Sequence, residues 1–176
     1  MTRVRVEYET TATPEACWAL MADFANIDFF NPHLTGSHLI EGSPACGLGT
    51  ERQCDLKGSK GYFREKVIDW QEGRSYTVDI YEGTLPVDRT VTTLGLAPWA
   101  SGGTRLYMET DYTPRHGVLG VVADHLVIRR MFRSMLLKVL EGLADKAEAG
   151  GLSPSATAAV HAARRAESAR LDKVAP

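Results

Sequence analysis

Cysteine is scarce: three residues, Cys17, Cys46 and Cys54, odd in number and without Cys-x-x-Cys spacing. That excludes a disulfide framework, and the thiols read as reduced residues of a cytoplasmic protein. Long apolar runs are missing too. None approaches the roughly 20 residues that cross a bilayer, so no integral membrane association is expected. Met1-Thr2-Arg3-Val4-Arg5 runs straight into an alternating pattern that leaves no room for a secretory leader. Neither sign of charge dominates: 20 Lys and Arg against 22 Asp and Glu give a net charge of −2. No long-range field then draws the chain to nucleic acid or to an anionic membrane. The five histidines (His33, His38, His116, His125, His161) form no His-x-x-x-His pair, so neither a metal nor another cofactor is expected. Glycine-rich phosphate loops and the Gly-x-Ser-x-Gly elbow are also absent.

What is present is an ordinary globular composition, 176 residues with 44% hydrophobic and 24% charged. This suits one domain, which can bury roughly 70% of its unfolded surface without a staple. Arg3 to Thr10 alternates, with Val4, Val6 and Tyr8 on one face and Arg3, Arg5, Glu7 and Glu9 on the other. Thr13-Pro14-Glu15 supplies a cap, a proline and an acid for a helix reaching about Asp23. A second short helix over 26–31 is stopped by Pro32. Strands are predicted at about 35–41, 48–56, 60–70, 74–82, 87–97 and 104–113, separated by glycine- and proline-bearing turns. Short connections imply an antiparallel meander. After Gly117 the period turns helical, with Val121, Val122, Ile128, Met131, Met135, Val139 and Leu143 on one stripe until Gly150-Gly151. Residues 1–149 form the expected domain, and 150–176 an Ala- and Arg-rich extension.

The fold class is α+β. A seven-stranded twisted sheet curls, and a long helix over 118–148 can bury its stripe only against the concave face. Methionines on that stripe suit an adaptable wall, and the mismatch predicts a ligand cavity of roughly 300–1,000 Å3. The stretch Pro14–Pro32, through Trp18, Asp23-Phe24 and Asn31-Pro32, resembles the START-like (SRPBCC, birch-pollen-allergen-like, helix-grip) superfamily in its polyketide cyclase/dehydratase group. Arg64-Glu65-Lys66-Val67, Gly103-Thr104-Arg105 and the segment from Pro114 to Gly120 extend the resemblance over about 3–148. It implies a hydrophobic ligand beneath the long helix, as in aromatases/cyclases and lipid carriers.

Pleat parity selects the polar residues that face inward. Arg52 and Cys54 share one face of their strand, Phe63 and Glu65 one face of the next, and Tyr76, Val78 and Ile80 one face of the third. A two-residue turn at Gly58-Ser59 sets Arg52 opposite Glu65 and Cys54 opposite Phe63. The same logic at Gln71-Glu72 sets Glu65 beside Val78 and Val67 beside Tyr76. An inward arginine and glutamate must pair, either as a polar anchor for a ligand or as a plain core ion pair. On 104–112, alternation sends Tyr107, Glu109 and Asp111 to solvent. The resemblance instead implies a cavity carboxylate on this strand, which favours Tyr107 and Glu109 inside. Asp88, Thr90 and Thr92 carry the same ambiguity.

His33, after Asn31-Pro32, falls near the expected mouth, where it is either a base or a simple loop residue. Phe29, Phe30 and Trp99 read as core or cavity wall. The expected catalytic set is Glu65, Arg52 and Glu109. The expected ligand contacts are Phe30, His33, Cys54, Phe63, Tyr76, Val78, Asp88, Tyr107, Met131 and Met135. The expected partner is a small hydrophobic, polyketide-like or aromatic molecule, held with or without cyclisation or dehydration. The alternative is a non-catalytic lipid or isoprenoid carrier. The oligomeric state stays open, with a homodimer one option.

Overall fold

The structure, a computed structural model, describes residues 2–58, 60–114 and 129–151. Seven antiparallel strands form one sheet: β1 (Thr2–Thr10), β2 (Leu34–Leu39), β3 (Glu51–Leu56), β4 (Tyr62–Gln71), β5 (Ser75–Gly83), β6 (Val87–Pro98) and β7 (Thr104–Pro114). Their spatial order is β1-β7-β6-β5-β4-β3-β2, so every neighbour after β1 is also a neighbour in sequence. Helix α1 (Pro14–Ala22) and a 3₁₀ helix (Phe24–Phe29) follow β1, and α2 (Arg129–Glu148) lies against β1, β7 and α1. This is the curved sheet closed by a C-terminal helix that the patterning predicts. The part of the predicted helix before Arg129, including Val121, Val122 and Ile128, lies outside the described residues, as does 152–176.

Local chemistry explains the boundaries. Thr13 caps α1, its hydroxyl accepting from Ala16 N at 3.3 Å, and Pro14 occupies the first turn where no N–H is needed. At the far end of α2, Gly150 turns left-handed (φ 64), and Gly151 N donates to the Lys146 carbonyl at 2.9 Å. The face α2 buries is Leu136, Val139, Leu140, Leu143, Ala144 and Ala147, which shares Val139 and Leu143 with the stripe read from sequence and adds four residues to it.

The outer face of β1 is a charge ladder. In register, Arg3 stands opposite Asp111, Arg5 opposite Glu109 and Glu9 opposite Arg105. Arg3 reaches Asp111 at 2.7 Å, Arg5 reaches Glu109 at 3.3 Å and Arg105 reaches Glu9 at 3.3 Å. Opposite charges facing each other across strands stabilise the pairing.

Candidate functional site

Cross-strand register builds the floor of the concave face as rows. One row runs Arg52–Glu65–Ile80–Thr90–Tyr112 and the next Val67–Val78–Thr92–Thr110–Val4, followed by Trp70–Tyr76–Leu94–Met108–Val6. Arg52 opposite Glu65 and Cys54 opposite Phe63 agree with the turn arithmetic. The β4–β5 register does not. Glu65 faces Ile80 and Val67 faces Val78, two residues from the expected partners. The connection is longer, with Gln71 paired to Ser75 and Gly73 left-handed (φ 72), and a bulge near Ile68 returns one residue. The net displacement is two, so the inward faces survive.

Between this floor and α2 lies a cavity of about 190 Å3. Phe63, Tyr76, Val78, Met131 and Met135 all line it, as do Leu94, Met108 and Val139. Its polar lining comes from Arg52, Glu65, Asn31, His33, Thr90, Thr92 and Thr110. Met131 is 44% exposed while touching the cavity, which marks one edge of the mouth.

Arg52 is only 1% exposed and Glu65 4%. Nε and Nη2 of Arg52 both reach Oε1 of Glu65 at 2.5 Å, while Nη1 donates to the Phe24 carbonyl. The guanidinium carbon stands 3.7 Å from the centre of the Phe24 ring. Burial is the largest single effect and opposes the charge on Arg52, but the Glu65 carboxylate, together with Cys54 and Tyr76, outweighs it, so Arg52 holds its proton more tightly than a free arginine. Burial also raises the Tyr76 phenol, with Arg52 opposing.

An aromatic chain braces the pair. Phe24 meets Tyr76 edge-on at 5.5 Å, Tyr76 stacks on Trp70 at 5.7 Å, and Trp70 meets Trp18 at 5.2 Å. Both indoles donate to Glu72, at 2.8 Å each. Trp18, Phe24 and the inward pair therefore belong to one packed unit joining α1, the 3₁₀ helix and the sheet.

His33 borders the cavity at its mouth. Asn31 Oδ1 accepts from His33 N at 3.0 Å, and the His33 carbonyl accepts from Lys57 N at 2.8 Å. Nε2 is buried without a hydrogen-bond partner. Burial lowers the imidazole pKa, the Met135 backbone opposes this, and Lys138 and Lys57 lower it further. Deeper in, Thr92 and Thr110 share a hydrogen bond at 3.0 Å, whereas the Thr90 hydroxyl, on a residue 2% exposed, has no partner.

Other expected residues lie elsewhere. Met108 and Thr110 are the inward residues of β7, so Glu109 and Tyr107 take the outer face. Glu109 is held there by Arg3 and Arg5, and the Tyr107 ring lies on Gly95, where a Cβ would collide with it, with Arg5 4.6 Å from the ring centre. The alternation was the better guide, and the ladder with β1 is the signal that decides it. Phe30 is buried in the core beside α2, outside the cavity lining. Cys54 is fully buried 3.8 Å from Ser37 Oγ and also outside that lining; burial, opposed by Arg52, pushes its thiol up to about 12. Trp99 is 40% exposed under Arg105 rather than in the core. Asp88 sits at a register shift in β6, and its side chain lies outside the described residues. The parity reading had no signal for Leu85 or Phe132 as wall, whereas the alternation that sends Glu109 outward also brings Met108 in. Among the described residues no three His, Cys, Asp or Glu side chains converge as metal ligands, and no helix is long and apolar enough to cross a membrane.

Solved structures share this fold. The protein TTHA0849 from Thermus thermophilus is 20% identical, with a TM-score of 0.69 over 84% of this chain and 98% of its own. XoxI from Bacillus cereus is 20% identical, with a TM-score of 0.68 over 82% and 94%. A Thermobifida fusca protein is 17% identical, with a TM-score of 0.67 over 84% and 93%. At such identities the likeness shows the fold alone. No curated protein matches the chain. The family model described as polyketide cyclase / dehydrase and lipid transport matches residues 1–148 of the 176, and the protein belongs to that family.

Proposed function

We propose that the protein binds a small, mainly apolar molecule in the cavity beneath α2, with Arg52 and Glu65 orienting a carbonyl or hydroxyl of that molecule. The observation that carries the reading is the cavity: about 190 Å3, walled by Phe63, Val78, Leu94, Met108 and Val139, with a compensated ion pair in its floor. An apolar cavity of roughly 150 Å3 admits a benzene-sized molecule, whereas drug-sized ligands take about 300–1,000 Å3. The size therefore favours a single ring or a short chain over a fused polycycle or a long lipid tail. The unpartnered Thr90 hydroxyl, two strands from Glu65 and so about 10 Å along the sheet, offers a second polar contact.

A catalytic reading rests on the same floor. Glu65 is the one carboxylate among the described lining residues. It would move a proton during a cyclisation or dehydration, while Arg52 held the developing oxyanion. Because Arg52 already engages Glu65 Oε1, binding is the simpler use of the pair. Native mass spectrometry of protein purified without denaturation tests the reading. A retained small molecule, lost on filling the cavity with Val78→Trp, supports it. Failure of both purified protein and protein soaked with one-ring aromatics to hold any ligand refutes it.

A further inference from the structure

The charge at the mouth differs from the charge inside. Within the cavity the Arg52 cation is cancelled by Glu65 at 2.5 Å, so the described lining residues offer no net charge to a ligand. Outside, a second hollow shares His33, Leu56, Leu85 and Met135 with the cavity and adds Pro32 and Lys57. The Lys57 backbone is tied to the His33 carbonyl at 2.8 Å, which holds the two residues side by side.

Helix α2 brings another cation to the same place. Met135, Lys138 and Gly142 are spaced by three and four, along one stripe of α2. The two ends of that stripe are located: Met135 shares both hollows with His33, and Gly142 packs on the Phe30 carbonyl. Lys138 therefore points along the 30–33 segment. The charged groups that act on His33 are Lys57 and Lys138, and no carboxylate is among them. Neither lysine has an ion-pair partner among the described residues. His33 contributes a buried ring nitrogen, Nε2, without a partner. In a chain of net charge −2, the described residues form a local positive mouth over an electrically balanced, mainly apolar interior.

We propose that the ligand is an amphipathic monocarboxylate, its one-ring or short-chain body in the cavity and its carboxylate at the mouth between His33, Lys57 and Lys138. The assignment rests on the ligand-binding reading and adds the ligand's charge and orientation to it. A carboxylate left at the mouth keeps part of its hydration, which avoids the large cost of burying an unpaired anion. The lysines then act through attraction at a partly exposed site, an effect that added salt screens.

The test compares 3-phenylpropanoate with its neutral analogue 3-phenylpropan-1-ol, by calorimetric titration of the full chain and of a Lys57→Gln/Lys138→Gln variant. Both substitutions are on exposed side chains, and circular dichroism checks that the variant is folded. The expected result is that the wild-type chain prefers the acid roughly tenfold, that 0.5 M salt erodes the preference, and that the variant loses it while holding the alcohol as before. Equal affinity for acid and alcohol, or a preference unchanged in the variant, overturns the carboxylate assignment and leaves the cavity reading standing. Binding of neither probe overturns the cavity reading for one-ring ligands, and this proposal with it.

Discussion

Removing the Glu65 carboxylate should be the most damaging single substitution on the cavity floor. Arg52 is 1% exposed and cannot shed its charge. In Glu65→Ala its Nε and Nη2 lose the Oε1 acceptor, leaving the Phe24 carbonyl, the Phe24 ring at 3.7 Å and the neutral Tyr76 phenol and Cys54 thiol, with no anion to balance the charge. Breaking a buried pair from one side costs about 3–5 kcal/mol. For a chain of 176 residues, each kcal/mol moves the thermal midpoint by about 2–4 °C, so the midpoint should fall by about 6–20 °C. Glu65→Gln keeps a carbonyl acceptor, and a hydrogen bond to a charged group contributes about 1.5–3 kcal/mol. That variant should lose roughly half as much. Arg52→Met/Glu65→Leu removes both charges and fills the space with apolar atoms, so its stability should return to within about 1–2 kcal/mol of the wild type. Urea unfolding followed by circular dichroism, with midpoint and slope fitted separately, measures all three. The reasoning fails if Glu65→Ala costs under about 1 kcal/mol, or if the double variant is no more stable than the single one.

Three further outcomes rest on the packing and the titrating groups. Gly142→Ala should destabilise, because a Cβ there collides with the Phe30 carbonyl; helix propensity alone would make the change favourable by about 1 kcal/mol, so the sign of the measured change in unfolding free energy decides the matter. His33 is held below its ordinary pKa of 6.5 by burial and two lysines. The unfolded chain then binds the extra proton first, so stability should fall as pH drops from 7 towards 5. His33→Asn should flatten that part of a pH series of thermal melts. Cys46 is exposed, while Cys17 and Cys54 are buried with burial raising both thiols. Ellman's reagent should titrate one thiol in the native protein and three after denaturation, and a fast second thiol would contradict the burial of β3 or α1.

The sheet was legible because its period is two and its turns are marked by glycine and proline. The β3–β4 register followed from one turn, and with it the meeting of Arg52 and Glu65. The β4–β5 register was missed because a left-handed Gly73 lengthens the loop and a bulge near Ile68 compensates only in part. Nothing in Gln71-Glu72-Gly73-Arg74 distinguishes a two-residue turn from a three-residue one without the backbone. The inward faces still came out correctly, since an error of two leaves parity unchanged. Helix α2 was harder. Its buried stripe includes Ala144 and Ala147, and alanines carry little hydrophobic signal in a periodicity count.

The β7 face shows where local physics should outrank analogy. Relatives suggested an inward carboxylate, but Glu109 belongs to a ladder that could have been written from sequence. Setting the first strand antiparallel to the last, with Arg3 opposite Asp111, aligns Arg5 with Glu109 and Glu9 with Arg105 as well. Three opposite-charge pairs in one register, each contributing roughly 0.2–1 kcal/mol, oppose turning the strand over. Turning it would also send Leu106, Met108 and Thr110 to solvent, and Leu106 and Thr110 are almost wholly buried. Burying the Leu106 side chain is worth about 1.5–3 kcal/mol, so the hydrophobic and ionic contributions agree in keeping Glu109 outside. Among the described residues the charged groups of the cavity floor come from β3 and β4, through Arg52 and Glu65, with the free hydroxyl of Thr90 beyond them on β6. On the proposed reading, chemistry on a bound molecule would fall to that side of the floor, away from β1 and β7.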